Sequence, residues 1–358
     1  MKLIELHILQ SFPVSCLNRD DVGSPKTAIF GGVNRARVSS QSMKRAIREY
    51  AQDNLPEARF GGERTKLIVQ PLADALARHG LSAEAAMEHA ANIADKLAKL
   101  DAKSVKAGGV PQVGTLAFLA PSEIDSVAKG VAELVAADPK AKDYEKKLEK
   151  FCKEAGLMDG ADIALFGRMA ASLPSLTLEG AAMFSHALST HKSDNDLDFY
   201  SAVDDLKPKD DDAGAGMIGT LEFSSAVYYR YAALNLGLLA DDAHLGKLNP
   251  GDRRKVVDAF LRSALLAVPG ARKNSMNAHT LPAYALGTFK SAGQPVQLVN
   301  AFEKPVPPRN GLIQGSIEAL KAHHAQLKET WDITCDLEVA IPDTNLNAFC
   351  KALVEHVH

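Results

Sequence analysis

Residues 17–48 read LNRDDVGSPKTAIFGGVNRARVSSQSMKRAIR, and the character of the chain changes halfway along them. The first half is dense in Asn, Asp, Gly, Ser and Pro, the residues of turns, so it reads as a loop. Ser39 and Ser40 are candidate N-caps, and QSMKRAIR continues as a helix. The stretch holds Arg19, Lys26, Arg35, Arg37, Lys44, Arg45 and Arg48; from Gly31 to Arg48 there are five basic residues and no acid. Ser40, Lys44 and Arg48 are spaced by four and share one helix face. A helix N-terminus offers unpaired N–H groups and the positive end of the dipole. Hydroxyls at the cap, with cations one and two turns further on, form a phosphate cradle that holds a backbone without reading bases. The alternative is a solvated basic helix face.

Working outward, KLIELHILQSF (residues 2–12) is bounded like a strand, with imperfect alternation. TLEFSSAVYYRY (220–231) is a strong strand, with Leu221, Phe223, Val227, Tyr229 and Tyr231 on one parity. Residues 65–160 read as helical and rich in Ala, Lys and Glu, an insertion broken at Gly108-Gly109-Val110-Pro111. Ser82 starts one helix there. Ser122 starts another, with Asp125 as its capping-box partner, and Asp138-Pro139 starts a third. Strand character returns at 161–169. Residues 180–191 are ambiguous between helix and strand, and 204–219 read as an acidic, Gly-rich loop. Asn249-Pro250 caps a helix running to Val268. Further on, a helix is expected at about 314–330, a strand at 333–341 and a helix from Thr344. Strands separated by helices with long connections indicate an α+β fold, and no repeat recurs at a fixed period.

The chain has 358 residues, 46% hydrophobic, with a formal net charge of −3. Such a balance excludes a uniformly basic nucleic-acid binder, so any nucleic-acid site is a local patch. No apolar run reaches the ~20 residues that span a membrane, and the first residues lack the shape of a signal peptide. Cys16, Cys152, Cys335 and Cys350 are scattered and form no C-x-x-C pair, so reduced thiols and a cytoplasmic location are expected. No enzyme, cofactor or metal site is expected. The histidines show no H-E-x-x-H and no zinc spacing, and His186/His191 and His323/His324 are wrongly spaced to share a site on a helix. The acidic pairs Asp20-Asp21 and Asp204-Asp205 raise metal-assisted cleavage. Beside Arg19 and Lys26, ion pairing is the simpler reading of the first.

The string over 17–48 is similar throughout to the N-terminus of the CasC family, the repeated backbone subunit of the type I-E CRISPR complex Cascade. ADIALFGRMAAS, FSHALSTHKSDNDLDFYSAVDDL, GTLEFSSAVYYRYAALNL, AVPGARK and NAFEKPV resemble that family in the same order, so the likeness covers essentially the whole chain. The resemblance implies a hand. Its palm is a modified RRM-like (ferredoxin-like) sheet with helices, at 1–60, 161–191 and 223–358. A helical fingers insertion occupies 61–160, and a β-ribbon thumb 192–222. It further implies a non-catalytic protein that stacks head-to-tail along guide RNA (crRNA), with target DNA read by base pairing. The large, small, crRNA-capping and crRNA-processing subunits of Cascade would be its other partners. An RRM-like endoribonuclease that processes guide RNA is the alternative.

Positions matching the family's RNA grip are Arg19, Lys26, Ser40, Gln41, Lys44, Arg45 and Arg48. Met169 matches an apolar finger residue that wedges beside displaced bases, and Tyr200, Ser201 and Val203 match thumb residues at the kink. Without the resemblance, Met169 reads as a core side chain at a strand end. The paired aromatics of an ordinary RRM octapeptide are missing. Finally, Lys142, Lys146, Lys150 and Lys153 are spaced four, four and three along PKAKDYEKKLEKFCKE, opposite Tyr144, Leu148 and Phe151. The family places a lysine-rich finger helix where target DNA passes, which implies that this stripe attracts DNA; a plain amphipathic helix is the other reading.

Overall fold

The computed structural model describes residues 1–138, 147–202, 217–309 and 311–358. Two long strands organise it. β1 (Leu3–Ser15) lies between β9 (Met217–Asn235) and β10 (Tyr284–Lys290), antiparallel to both, with Leu6 opposite Ala232 on one side and Gly287 on the other. The sheet runs β11 (Leu337–Ile341), β10, β1, β9, β7 (Ala187–Ser189), β3 (Val33–Val38), β2 (Thr27–Phe30). β6 (Ala182–Phe184) and β8 (Asp196–Ala202) also pair with β9, at its opposite ends. The imperfect alternation of β1 has a direct cause: the strand is covered on both faces. Ile4, Leu6 and Ile8 pack with α1 (Ser40–Asn54), α9 (Pro250–Leu266) and α11 (Leu346–Val354). Leu9, with Tyr229, Tyr231 and Leu286, packs against Leu320 of α10 (Leu312–Trp331). Gly287 makes the first of these layers close, since a Cβ there would meet the Phe349 ring of α11 at 2.7 Å.

Polar groups on the α10 side of β1 are internally paired. Tyr229 Oη accepts the Leu298 N–H at 2.7 Å and shares a hydrogen bond with His7 Nδ1 at 2.9 Å. Burial pushes the His7 pKa down to about 3, which keeps the ring neutral. Glu5 accepts from Tyr231 Oη at 2.7 Å and pairs with Lys290 at 2.5 Å.

The helical block has its own core. β4 (Glu63–Thr65) and β5 (Ala117–Leu119) form a small ribbon beside α2 (Val69–Arg78), α3 (Ala83–Ala98), α4 (Ala102–Ala107), α5 (Pro121–Ala137) and α6 (Leu148–Ala155). Leu72, Leu76, Ile93, Val127, Val131 and Leu148 lie at its centre. Phe151 packs so tightly on α5 that a Cβ at Gly130 would meet its ring at 2.6 Å.

Ser82 and Asn249 cap as expected. Two expectations fail. Residues 161–169 are not a strand: α7 (Ala161–Phe166) is a short buried helix ended by Gly167 at φ +80°. Periodicity does not separate helix from strand in so short an apolar run. Ser122 and Asp125 do not cap α5. Pro121 takes the first helical position, and Glu123 accepts the Ala120 N–H at 2.9 Å, while Asp125 sits 3.0 Å from His79. Asp138 ends α5, its N–H bonded to Leu134 O; of the helix expected from Asp138 to about Glu154, residues 139–146 lie outside the described residues, and the remainder is met by α6. The ambiguous 180–191 stretch resolves into β6 and β7, and α8 (Leu236–Leu239) follows β9 directly.

Candidate nucleic-acid interface

α1 begins where Ser39 Oγ accepts the Ser42 N–H at 3.2 Å, and the Ser39 N–H itself donates to Asn18 Oδ1 at 2.9 Å. Met43, Ala46, Ile47 and Ala51 face the core, which leaves Ser40, Gln41, Lys44, Arg45 and Arg48 outward or at the rim. They divide into two sets. Lys44 and Arg48 turn toward the helical block. Lys44 Nζ lies 5.4 Å from the Phe184 ring centroid, and Arg48 lies 5.4 Å from that of Phe118. Arg64, from the helical block, stacks on Phe118 too, at 4.8 Å. Burial, then the charge of Arg64, lowers the Lys44 pKa; burial, then Arg48, lowers that of Arg64. Two residues after Phe184, His186 Nδ1 lies 3.4 Å from Arg37 Nη1. Burial, followed by Arg37 and Lys26, lowers the His186 pKa.

The result is a stripe: Lys26, Arg37 and His186, then Lys44 over Phe184, then Arg48 and Arg64 flanking Phe118. Partly buried cations such as Lys44 and Arg64, each beside another positive charge, carry unfavourable self-energy, which an arriving polyanion relieves. The acid among them is Asp162, which accepts the Gly62 N–H at 3.0 Å and lies 3.9 Å from Arg48 Nε. Burial raises its pKa to about 6, against the lowering effects of the Gly62 N–H and Arg48. Asp162 Oδ2 and Arg48 Nε have no hydrogen-bond partner of their own.

Arg45 does not join this stripe. It pairs with Glu49 at 2.7 Å and, with Arg19, lines a separate groove of about 800 Å³ that also holds Asp20 and Asp21. Asp20 is not an ion-pair partner there as expected: its Oδ1 accepts the N–H groups of Val22 and Ser24, at 3.0 and 2.9 Å, and shapes the turn. Arg35 is wholly buried, its guanidinium donating to the carbonyls of Phe30, Ser189, Phe302 and Glu303. It joins loops and is closed to any ligand.

Met169 is 84% exposed, so it is no core residue. The buried Arg168 holds it out, donating to both Glu123 oxygens at 2.8 and 2.7 Å and to Phe118 O at 3.2 Å. The backbone of Arg168 bonds Leu178 in both directions. Phe118 therefore links the base of Met169 to Arg48 and Arg64. Tyr200 lies on the β8–β9 ribbon, where it covers Gly219, and Ser201 is exposed beside it. Leu197 and Phe199 on the same ribbon are 72% and 65% exposed. Val203, Lys142, Lys146 and Tyr144 lie outside the described residues. Lys150 and Lys153 are exposed, but each has a carboxylate one turn away: Glu154 at 3.5 Å and Glu149 at 2.5 Å.

Sequence reasoning missed Arg64, Phe118, Phe184 and His186, and left Arg37 out of the grip. Only Arg37 had a signal, its place in the acid-free run. The others join the stripe through the tertiary fold.

Fold and site together define an α+β protein that gathers cations and two aromatic rings where a sheet meets a helical insertion. A model of the CT1975-like protein family matches residues 4–351, and the chain belongs to that family. Comparison with curated proteins gives no match. Among solved structures, the chain is similar to a chain of a "CRISPR RNA-guided surveillance complex, pre-nicking", at 29% identity and TM-score 0.82, covering 99% of this chain and 100% of that one. It is also similar to a chain of a "CRISPR RNA-guided surveillance complex", at 25% identity and TM-score 0.71, covering 99% of both. These matches bear out the resemblance drawn from the sequence. No helix of the described residues is long and apolar enough to cross a membrane.

Proposed function

We propose that this chain is a non-catalytic backbone subunit that polymerises along CRISPR guide RNA and presents it to target DNA within type I-E Cascade. The observation that carries the reading is the cluster of Lys44 over Phe184 and of Arg48 and Arg64 over Phe118, with Lys26 and Arg37 beside His186. Cations hold phosphates irrespective of sequence. The protruding Met169, at the end of the stripe, suits a wedge beside an unstacked base. The β8–β9 ribbon, with Tyr200, is the thumb in this reading, the helical block the fingers and the sheet an RRM-like palm. Copies repeat head-to-tail, an arrangement that does not close on itself, so RNA length sets their number. The test is co-expression with guide RNAs of two lengths. Elongated particles whose length follows the RNA, with the RNA recovered uncut, are expected. Particles of one size, or RNA cut by the purified protein, refute the proposal; the latter outcome favours the endoribonuclease.

Two further results follow. Asp162 titrates near pH 6 beside Arg48. Its folded-state pKa is raised, so the folded chain holds that proton more tightly than the unfolded one. The group therefore adds stability as pH falls from about 6 toward 4, and withdraws it above. Protonation also frees Arg48, so RNA affinity rises as pH drops from 7 to 5, and Asp162→Asn flattens that rise. A binding titration at the two pH values checks it, and an unflattened rise in the variant assigns it to another group.

The second concerns target DNA. Changing Lys142, Lys146 and Lys150 to Glu leaves assembly on RNA intact and slows DNA association roughly tenfold at low salt, where steering is strongest. Lys153, tied to Glu149, contributes less. Stopped-flow association at two ionic strengths decides it; equal rates remove the DNA role.

A further inference from the structure

On the α10 side of the sheet, well away from the stripe in the fold, three side chains of different elements converge. His324 comes from α10, Cys335 from the connection after it and Glu338 from β11. One ligand atom from each falls within 4.8 Å of the others. His324 Nε2 is 3.9 Å from Glu338 Oε1. The connection carrying Cys335 is pinned on its far side. The Asp336 N–H donates to Phe289 O at 2.9 Å, and Glu338 stands opposite Thr288 in the β10–β11 register. The His324 side chain is 14% exposed, and its imidazole nitrogen faces the Glu338 carboxylate. A groove of about 700 Å³ opens onto His324 and Glu338 and supplies room for water.

We infer that His324, Cys335 and Glu338 form a binding site for a borderline divalent cation of the zinc class, with water in the fourth position. The donor set decides the class. A thiolate and an imidazole select zinc-like ions, whereas magnesium and calcium prefer oxygen alone. Bond lengths of about 2.0–2.3 Å in a tetrahedron place neighbouring donors about 3.3–3.8 Å apart. The three atoms therefore close up by at most about 1.5 Å, within rotamer adjustments of Glu338 and Cys335. Binding converts the Cys335 thiol to a metal-bound thiolate and releases one proton to solvent. It also displaces a cation that the chain already provides: Lys328 Nζ lies 2.6 Å from Glu338 Oε1. The ammonium occupies one edge of the site and competes with the metal, which makes the site selective for an ion that gains from the thiolate. A bound ion joins α10 to the sheet edge across the connection that otherwise separates them.

Cobalt(II) titration of the reduced full-length chain tests this. One ion per chain is expected, with sulfur-to-cobalt charge-transfer absorption in the near ultraviolet, reversed by zinc. Cys335→Ser removes the charge-transfer band, and His324→Ala weakens binding at least tenfold. Lys328→Met tightens binding several-fold, an effect that a poorly folded variant does not imitate. Absence of the band in the native chain, its persistence in Cys335→Ser, or unchanged affinity in Lys328→Met each overturns the assignment. RNA-templated assembly is measured in parallel, and its outcome bears on the proposed function alone.

Discussion

Replacing Lys44 and Arg48 together with alanine lowers affinity for single-stranded RNA about 100-fold, equally for unrelated sequences. Each side chain donates to a phosphate in the proposed complex, and hydrogen bonds to charged groups contribute about 1.5–3 kcal/mol each. Both side chains are half-buried against aromatic rings, so their charges are poorly screened before RNA arrives. The salt dependence falls as well, by about 1.4 in the slope of log affinity against log salt, since each single-strand phosphate accounts for about 0.7. The fold tolerates the change because Asp162, deprived of Arg48, takes up a proton instead of standing as a buried charge. Arg45→Ala is the internal comparison. Arg45 is exposed and paired with Glu49, and surface pairs contribute about 0–1 kcal/mol, so its loss changes affinity less than about fivefold. Fluorescence titrations with two RNA oligomers across a salt series measure all of this. A loss confined to one sequence, or an unchanged slope, removes the phosphate assignment.

Excising the ribbon leaves a folded subunit that no longer forms arrays on RNA. The cut that the structure recommends replaces residues 197–221 with a short turn. Beginning at Lys192 instead removes working parts of the sheet: the Ser193 N–H donates to Asn34 O at 3.1 Å, and Asn195 Nδ2 donates to Glu222 at 3.0 Å. His191 Nε2 accepts the Val227 N–H at 3.2 Å. Beyond those contacts the described part of the ribbon pairs with itself, through the register Leu197–Glu222 to Ala202–Met217, and it presents Leu197 and Phe199 to solvent. Its removal therefore changes unfolding free energy by less than about 1 kcal/mol, while apolar area needed for a neighbour is lost. Thermal melting and electron micrographs of the RNA-bound protein check the two halves. Arrays of normal length from the excised chain contradict the thumb role.

How much was legible depends on whether the information was local. β1 and β9 are long and rich in β-branched and aromatic residues, and both were readable. So was α1, because a serine cap followed by a basic helix is contiguous. The expectation of a strand at 161–169 fails because Ala161, Ile163, Ala164 and Leu165, a short buried apolar set, fit either period; what makes them a helix is the surrounding block and the left-handed glycine that ends it. The site was half legible. Lys44 and Arg48 were visible as a spacing of four. Their division from Arg45 was not, since it depends on which side of α1 the helical block covers. Arg64, Phe118 and Phe184 come from three distant segments, and no pattern in the sequence unites them. Arg35 shows the converse: it belongs to an acid-free run that looks like one surface, yet it points inward to four carbonyls.

The position of β1 between β9 and β10 also sets a schedule for biosynthesis. The strand is made first among these three, and its partners begin at Met217 and Tyr284. At about 5–20 residues per second, a ribosome needs on the order of 10–60 s to supply them. For that interval LIELHILQSF, an apolar segment with high strand propensity and no proline, has no permanent neighbour. Pairings across such long sequence separations are slow to form. The helical block, whose hydrophobic core is built from residues 68–176, can settle in the meantime. A nascent chain stalled before residue 284 should thus be a good client for chaperones that bind extended apolar segments, with the first strand as the captured site.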